Sequence, residues 1–175
     1  TIQAYFALKL AGVSTEEQCM QRACRFILDH GGIAKANVFT KIWLALFGQF
    51  PWRRAPALPL EIILLPNWFY FNIYEFASWS RATIVALMVV LAKKPVCRIP
   101  ESAQVSELYV EAEGHRDYSF RKIARVLSRR NSFLLLDSLF KAWEKLPLKP
   151  GRWLALRRAE KWILEHQEAD GSWGG

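Results

Sequence analysis

The 175-residue sequence has few of the residues that mark a disulfide-rich, collagen-like or disordered protein. It contains only 3 Cys, 9 Gly and 8 Pro, whereas 52% of its residues are hydrophobic and 14% are aromatic. Cys19, Cys24 and Cys97 form no CxxC pair, so small buried thiols in a reducing compartment are predicted rather than a disulfide framework. The composition indicates one globular domain, or one repeat-built lobe, with a hydrophobic core.

The sequence also lacks an uncharged apolar run long enough to span a bilayer. Its longest apolar stretch, residues 72–92, contains Glu75 and Arg81, and each charge costs about 2.5–3.5 kcal/mol at a bilayer centre. The uncharged part, residues 82–92, is far shorter than the roughly 20 residues that a spanning helix needs. No transmembrane helix is therefore predicted.

Metal-binding and nucleophile motifs are absent as well. His30, His115 and His166 have no metal-ligand spacing, and the Asp29–His30 pair has no plausible nucleophile partner. Gly31–Gly32 is not a phosphate-binding loop. The sequence therefore predicts no metal site.

Positive charge is concentrated in one segment. The sequence has 24 Lys+Arg and 16 Asp+Glu, a net charge of +8. Residues 115–161 contain 13 Lys+Arg and 4 Asp+Glu, a net charge of +9, so the remainder sums to −1. Such a segment suits phosphate, either in lipid headgroups or in nucleic acid; a solvated basic face without a partner is the alternative.

Helical periodicity dominates the sequence, and no strand pattern competes with it. A capping box of Ser14 and Glu17 predicts the start of a helix that ends at Gly31–Gly32, after a first helix that ends near residue 12. Further helices are predicted over residues 38–48, 72–92, 119–129, 132–145 and 152–166, with a loop at 51–66 and a long connection at 93–117. Apolar on nearly all sides after Arg81, the helix at 72–92 is expected to lie centrally. The predicted fold is all-α, with paired helices that resemble repeats.

The most specific motif is RAEKWILEHQEADGSW, at residues 158–173. A glutamine amide at a helix C-terminus, as predicted for Gln167, can bond unpaired backbone groups. Gly171 permits a tight turn, and the indole of Trp173 can lie over the glutamine amide. The motif predicts a sealed joint between neighbouring helix pairs.

This motif resembles the QW repeat of the triterpene cyclases, and residues 22–28 resemble a degenerate earlier copy. Residues 38–52, VFTKIWLALFGQFPW, and residues 72–83, NIYEFASWSRAT, resemble segments of the squalene–hopene cyclases. The resemblance covers the whole sequence. It implies an incomplete α/α-barrel (toroid) with QW-type repeats, in the N-terminal half of a longer enzyme. A start within a predicted helix fits this expectation.

The resemblance implies an isomerase that cyclises squalene to hopene or hopanol by a carbocation cascade in hopanoid biosynthesis. Such chemistry needs a strong acid, exclusion of water and π-faces that stabilise cations; no metal or organic cofactor is expected. The acid of the family is an aspartate in a D-x-D-D motif. This chain lacks that motif, since no two Asp lie two residues apart, so the chain alone is expected to be inactive.

Four apolar positions match family residues at the substrate cavity. By motif position, Phe39 and Trp79 correspond to aromatic residues that line the cavity, and Phe76 and Ile84 to positions near the channel constriction. Their implied role is to shape the cavity and to supply about 0.5–2 kcal/mol of cation–π stabilisation per ring. Packing in the protein core is the alternative role for Phe39 and Trp79.

The helix at residues 132–145 is predicted to contact a membrane. Phe133, Leu136, Phe140 and Trp143 form an apolar stripe, and basic residues flank it, as in an interfacial membrane helix. The family is monotopic, so the resemblance implies a peripheral location on the cytoplasmic face of a bacterial membrane. A helix packed inside the domain is the alternative.

A second class of function stays open, a non-catalytic helical-repeat module that docks on membranes or partner proteins. Nucleic-acid binding is not expected, because the aromatic residues follow helical core spacing and the sequence shows no known nucleic-acid-binding fold. The expected partners are squalene and a membrane surface. A homodimer stays open too, since the sequence does not determine the oligomeric state.

Overall fold

The computed structural model describes residues 1–69, 72–110 and 129–173, apart from the side chains of residues 129–133. Within these ranges the regular elements are helices and no strand occurs, which confirms the all-α prediction. The chain divides into two compact units. As far as each is described, the first unit comprises Thr1–Ala55 and Pro95–Arg121, and the second comprises Pro56–Lys94 and Lys122–Gly175.

In its described residues, the first unit contains three α-helices and several short 3₁₀ turns. Helix α1 spans Ile2–Leu10, α2 spans Gln18–Asp29 and α3 spans Val38–Leu46. Their apolar faces share one core with the 3₁₀ turn Ser106–Leu108, and the 3₁₀ turn Glu101–Ala103 packs against α1. The buried core residues are Tyr5, Phe6, Met20, Ile27, Ile33, Leu44, Ala45, Phe50, Val105 and Leu108.

A polar cluster links α1 to the 3₁₀ turn Ser106–Leu108. The Tyr5 hydroxyl donates to Glu107 Oε1 at 2.8 Å, and Lys9 Nζ lies 2.5 Å from the same oxygen. Lys9 also donates to the carbonyl of Gln104. Burial opposes ionisation of Glu107, but the hydrogen bonds from Lys9 and Tyr5 outweigh it and lower the pKa of the carboxyl. Burial and the neighbouring carboxylate raise the pKa of Tyr5.

We expect Glu107 to make the first unit sensitive to acid. Its folded-state pKa lies below the ordinary value of 4.5, so its stabilising effect is complete above pH 4.5 and is lost as pH falls through the lowered value. Glu107→Gln should lower the free energy of unfolding by about 1 kcal/mol at pH 7. It should also flatten the loss of stability below pH 4.5. Urea unfolding at several pH values measures both effects, and an unchanged acid slope would contradict the assignment.

Three more α-helices lie in the described part of the second unit. Helix α4 spans Ser78–Lys93, α5 spans Arg129–Lys145 and α6 spans Arg152–Glu165. The 3₁₀ segment Leu60–Leu64 packs against α4 and α6. The buried residues of this second core are Leu60, Ile63, Ile73, Val85, Met88, Ala155 and Ala159. Because Ala155 and Ala159 are small, α4 and the 3₁₀ segment Leu60–Leu64 can approach α6 closely.

An ion cluster joins α5, α6 and the 3₁₀ segment Leu60–Leu64. Arg152 Nε lies 2.7 Å from Glu61 Oε1, and its Nη2 donates to Glu144 Oε1. Lys149 Nζ lies 3.8 Å from Glu144 Oε2. Burial disfavours the charged form of Arg152, but the two carboxylates outweigh it and raise its pKa. The charge on Arg152 therefore bridges two chain segments 91 residues apart.

Two predictions about helix starts are wrong. Ser14 Oγ accepts from the Glu16 backbone amide at 3.2 Å rather than capping α2, which begins at Gln18 without a side-chain cap. The helix predicted from residue 72 begins at Ser78, because the side chain of Asn72 accepts from Tyr74 and Glu75 and caps a 3₁₀ turn instead. Local side-chain bonds thus compete successfully with helix formation.

Two predictions about burial also need correction. The buried face of α2 carries Met20 and Ile27, while Cys19 and Phe26 are exposed. Cys97 is exposed as well and Cys24 is half-buried, so the cysteines are not the buried thiols that were predicted. Helix α4 is buried only along a narrow stripe in the described residues, not on all sides.

The remaining predicted segments agree in part with the described residues. Between α4 and residue 110 the chain forms two short 3₁₀ turns; the rest of the predicted connection, 111–117, and the predicted helix 119–129, apart from its last residue, lie outside the described residues. Helix α5 begins three residues earlier than predicted, at Arg129. Among the described residues, no helix has the length and apolar character that crossing a bilayer requires.

Candidate functional site

Phe39 lies in the first turn of α3, on the side away from the core. The side chain of Asn37 caps this helix by accepting from the Thr40 backbone amide at 2.7 Å. The cap sets the register that buries Ile42 and Leu44 and leaves the Phe39 side chain 53% exposed. Phe39 is therefore not a core residue of the first unit.

Trp79 and Phe76 lie at the start of α4 in the second unit. Ala77 is the N-terminal boundary residue of the helix, so Phe76 precedes the helix and Trp79 lies in its first turn. The Phe76 side chain is 47% exposed and the Trp79 side chain is 66% exposed. Neither ring belongs to the second core, which leaves both free to contact an apolar molecule.

Ile84 has a different environment from the three aromatic candidates. It is half-buried and packs against the second core. The Ile84 side chain therefore contributes to the packing of α4 against the second core. The structure brings Ile84, Phe76 and Trp79 into one unit, whereas Phe39 belongs to the other.

The backbone around Phe76 is held by polar side chains. Asn72, which is 4% exposed, bonds to backbone groups on both sides of it. Arg81 Nη2 donates to the carbonyls of Tyr74 and Phe76. Glu75, which lies between these two residues, is exposed.

The C-terminal motif forms a closed turn after α6. Gln167 Nε2 donates to the carbonyl of Gly171 at 3.1 Å, and Gly171 has a φ of +86°. The indole Nε1 of Trp173 donates to the carbonyl of Ile163 at 2.8 Å. The indole, rather than the glutamine amide, therefore satisfies an unpaired carbonyl at the end of the helix.

Helix α5 presents leucines to solvent beside the predicted membrane stripe. Leu136, Phe140 and Trp143 are half-buried, and the side chain of Phe133 lies outside the described residues. On the polar side, Asp137 Oδ1 accepts from the Ala57 amide at 2.9 Å, so that side faces the second unit. The large apolar side chains that are exposed on α5 are those of Leu135 and Leu139, and Leu146 and Leu148 are exposed just after it.

A cavity of about 730 Å³ lies in the first unit. Its walls include Lys9, Arg25, Asp29 and Glu107. Burial raises the pKa of Cys24 beside it. A cavity with this charged lining does not suit a hydrocarbon. In the parts of the chain that the structure describes, no group of three His, Cys, Asp or Glu side chains could hold a metal ion.

The roles of two residues next to the candidates were not predicted from the sequence. Trp43 lies one helical turn after Phe39 on α3, is 54% exposed and stacks on Phe47 at 6.3 Å between ring centroids. The spacing of four residues was a usable signal. The bonds of Arg81 to two carbonyls could not be anticipated, because they depend on the 3₁₀ turn at Ile73–Glu75.

Comparison with known proteins places the chain in a family. The family model for the squalene-hopene cyclase N-terminal domain matches residues 1–175. The chain is 45% identical over its whole length to the squalene–hopene cyclase of Alicyclobacillus acidocaldarius and 41% identical to a dammaradiene synthase of Dryopteris crassirhizoma. It covers 27% and 25% of those two proteins, so it spans about a quarter of their length.

A shorter match agrees with these two. Over 110 residues, 63% of the chain, the sequence is 46% identical to the squalene–hopene cyclase of Zymomonas mobilis, of which it covers 17%. The whole-length family match, the all-helical structure and these relatives agree with one another. The chain belongs to the squalene-hopene cyclase N-terminal domain family.

Proposed function

We propose that this chain forms part of a squalene–hopene cyclase, an isomerase that converts squalene to hopene or hopanol by a carbocation cascade. Its part is to supply apolar side chains to the substrate cavity. The observation that carries the proposal is that Phe39, Phe76 and Trp79 are exposed and lie outside both cores. The family membership supports it.

The chemistry of these side chains suits a cationic hydrocarbon. An aromatic face attracts a carbocation without donating a lone pair that would quench it, and each ring stabilises a nearby cation by about 0.5–2 kcal/mol. The apolar side chain of Ile84 shapes the space and excludes water. The D-x-D-D proton donor of the family has no counterpart among these 175 residues.

The relatives differ in the product that their names state. One is a squalene–hopene cyclase and another is a dammaradiene synthase. Identities of 45% and 41% do not separate them, so the hopene product rests on the motif resemblance. No cofactor is expected for either reaction type. We place the enzyme in hopanoid biosynthesis on the same ground.

Trp79→Ala in the full-length protein tests the proposed cavity role of Trp79. We expect kcat/KM for squalene to fall about tenfold through loss of cation–π stabilisation, with more incompletely cyclised product. Trp153→Ala is a matched control, because Trp153 is also 66% exposed and lies in the same unit. Gas chromatography measures the relative amounts of the cyclised products. Equal effects of the two substitutions, or no cyclisation to change, would support a docking module instead.

We also propose that α5 contacts a lipid surface on the cytoplasmic face of a bacterial membrane. Leu135 and Leu139 are 63% and 56% exposed on consecutive turns. Their exposure is costly in water, and the basic residues of segment 115–161 suit anionic headgroups. The polar side of α5 is already bonded through Asp137 and Glu144 to the second unit. The leucine side is therefore the one available to lipid.

Vesicle flotation of the full-length protein tests this contact. We expect binding to anionic vesicles to exceed binding to neutral ones, and the double substitution Leu135→Ser/Leu139→Ser to weaken it roughly tenfold through lost apolar burial. Leu8→Ser/Leu10→Ser provides the control, since those leucines are exposed on α1. Absence of binding to both kinds of vesicle would favour a solvated basic face.

A further inference from the structure

The chain that leads into α4 is organised around one buried amide. Asn72 Oδ1 accepts from the backbone amides of Tyr74 and Glu75, at 2.9 and 3.2 Å. Its Nδ2 donates to the carbonyls of Asn67 and Phe69, at 3.0 and 2.9 Å. An asparagine side chain can make about four such bonds, so this one uses its full capacity. The backbone before Phe76 is thereby fixed at its near end.

Arg81 fixes the other end of the same segment. It lies in the first turn of α4, and its Nη2 donates to the carbonyl of Tyr74 at 2.8 Å and to that of Phe76 at 3.0 Å. The carbonyls of the residues before and after Glu75 therefore both accept from one guanidinium nitrogen. The second bond is to the residue that carries the exposed Phe76 ring. A shift of Arg81 would move that ring with the backbone.

The environment of Arg81 argues against a mainly stabilising role. Its Nε is buried without a hydrogen-bond partner, and no carboxylate pairs with it among the residues that the structure describes. A buried donor without a partner costs free energy and offsets what the two carbonyl bonds contribute. We therefore expect the guanidinium to matter more for the geometry of its neighbours than for the free energy of unfolding.

From this geometry we propose that Arg81 is a positioning residue of the cyclase: it sets the place of the Phe76 ring at the substrate cavity without touching substrate. The inference rests on the proposed function, because the position of that ring affects a reaction only if an apolar substrate binds beside it. Asn72 supports it by fixing the backbone before Tyr74. Displacement of a cavity wall by about 1 Å is enough to lower a rate substantially.

A double-mutant cycle between Arg81 and Phe76 in the full-length protein tests the proposal. Alone, Arg81→Ala should lower kcat/KM for squalene roughly tenfold, and Arg81→Lys, which keeps a donor, should lower it less. In the background of Phe76→Ala, the further effect of Arg81→Ala should shrink to less than about twofold, because the ring that Arg81 positions is gone. Arg157→Ala, an exposed arginine of α6, should change neither background.

The outcomes separate the two ideas. If the unmodified protein does not cyclise squalene, the proposed function fails and the positioning role fails with it. If it does, but Arg81→Ala lowers kcat/KM by the same factor in both backgrounds, only the positioning role is overturned. Urea unfolding accompanies the kinetics. Should both Arg81→Ala and Arg81→Lys prevent folding, Arg81 is a structural residue and the proposal is wrong.

Discussion

Replacing Gly32 by alanine is expected to destabilise the first unit by about 3 kcal/mol, as a strained backbone and an overpacked contact combine. Gly32 follows α2 with a φ of +63° and a ψ of −158°, a conformation that residues with a Cβ rarely adopt. An added Cβ would lie 2.4 Å from the carbonyl oxygen of Leu108. That oxygen belongs to the backbone next to a fully buried core side chain, so it cannot move aside easily.

Gly12→Ala is the matched control for this substitution. Gly12 also has a positive φ, +86°, but an added Cβ would meet nothing within 4 Å. It should therefore cost only the backbone strain, about 1 kcal/mol. Urea unfolding of both variants gives the comparison. Equal losses of stability would mean that the close approach of Gly32 to Leu108 does not constrain the first unit.

Arg152→Ala is expected to destabilise the second unit by about 3 kcal/mol, because it leaves two largely buried carboxylates without their shared partner. The side chains of Glu61 and Glu144 are each 14% exposed, and Arg152 itself is 17% exposed. Glu61 Oε2 is already buried with no hydrogen-bond partner among the described residues. Loss of Arg152 would leave the other oxygen unpaired as well.

A second substitution identifies the cause of this loss. In the Arg152→Ala background, replacing Glu61 and Glu144 by glutamine should recover part of the lost stability, because no buried carboxylate is then left charged and unpaired. Arg157→Ala is the control, because Arg157 is exposed and stacks on the ring of Trp153 at 4.7 Å; its effect should stay within about 0.5 kcal/mol. A loss of stability that the glutamine substitutions do not reduce would indicate lost packing rather than unpaired charge.

The helices were predictable where the periodic pattern and the terminating glycines agreed. Gly31 and Gly32 end α2 as the sequence indicates, and α6 follows the Pro150–Gly151 break. The close contact of Gly32 with Leu108 was not predictable, because the two residues are far apart in the sequence. The same holds for the bond between Arg152 and Glu61. Long-range contacts of this kind follow from the fold and leave no local signal.

The errors in helix starts have a common physical reason. Ser14 and Asn72 both have side chains that bond nearby backbone amides, and the sequence does not show whether that bond caps an α-helix or a tighter turn. For α2 and α3, several apolar stripes are compatible with the same periodicity. The structure buries Met20 rather than Cys19, and it exposes Phe39 and Trp43. The spacing of Phe39 and Trp43 was visible in the sequence, but the exposure of both rings is known only from the structure.

The candidate site was identified by motif resemblance rather than by residue chemistry. A phenylalanine or tryptophan at helical spacing is compatible with a core position, and nothing local distinguishes Trp79 from a core residue. The structure adds that Trp79, Phe76 and Phe39 are exposed. The long connection at 93–117 and the membrane stripe that includes Phe133 stay predictions, as does the cavity role of the four site residues.

Incubation of the full-length protein with squalene, without added metal or cofactor, tests the central claim most directly. Product analysis by mass spectrometry should show cyclic triterpenes of the same mass as squalene, or that mass plus one water, since the proposed reaction is an isomerisation with optional capture of water. Hopene or hopanol is the expected main product. Quantitative recovery of unchanged squalene from folded, membrane-reconstituted protein would contradict the account.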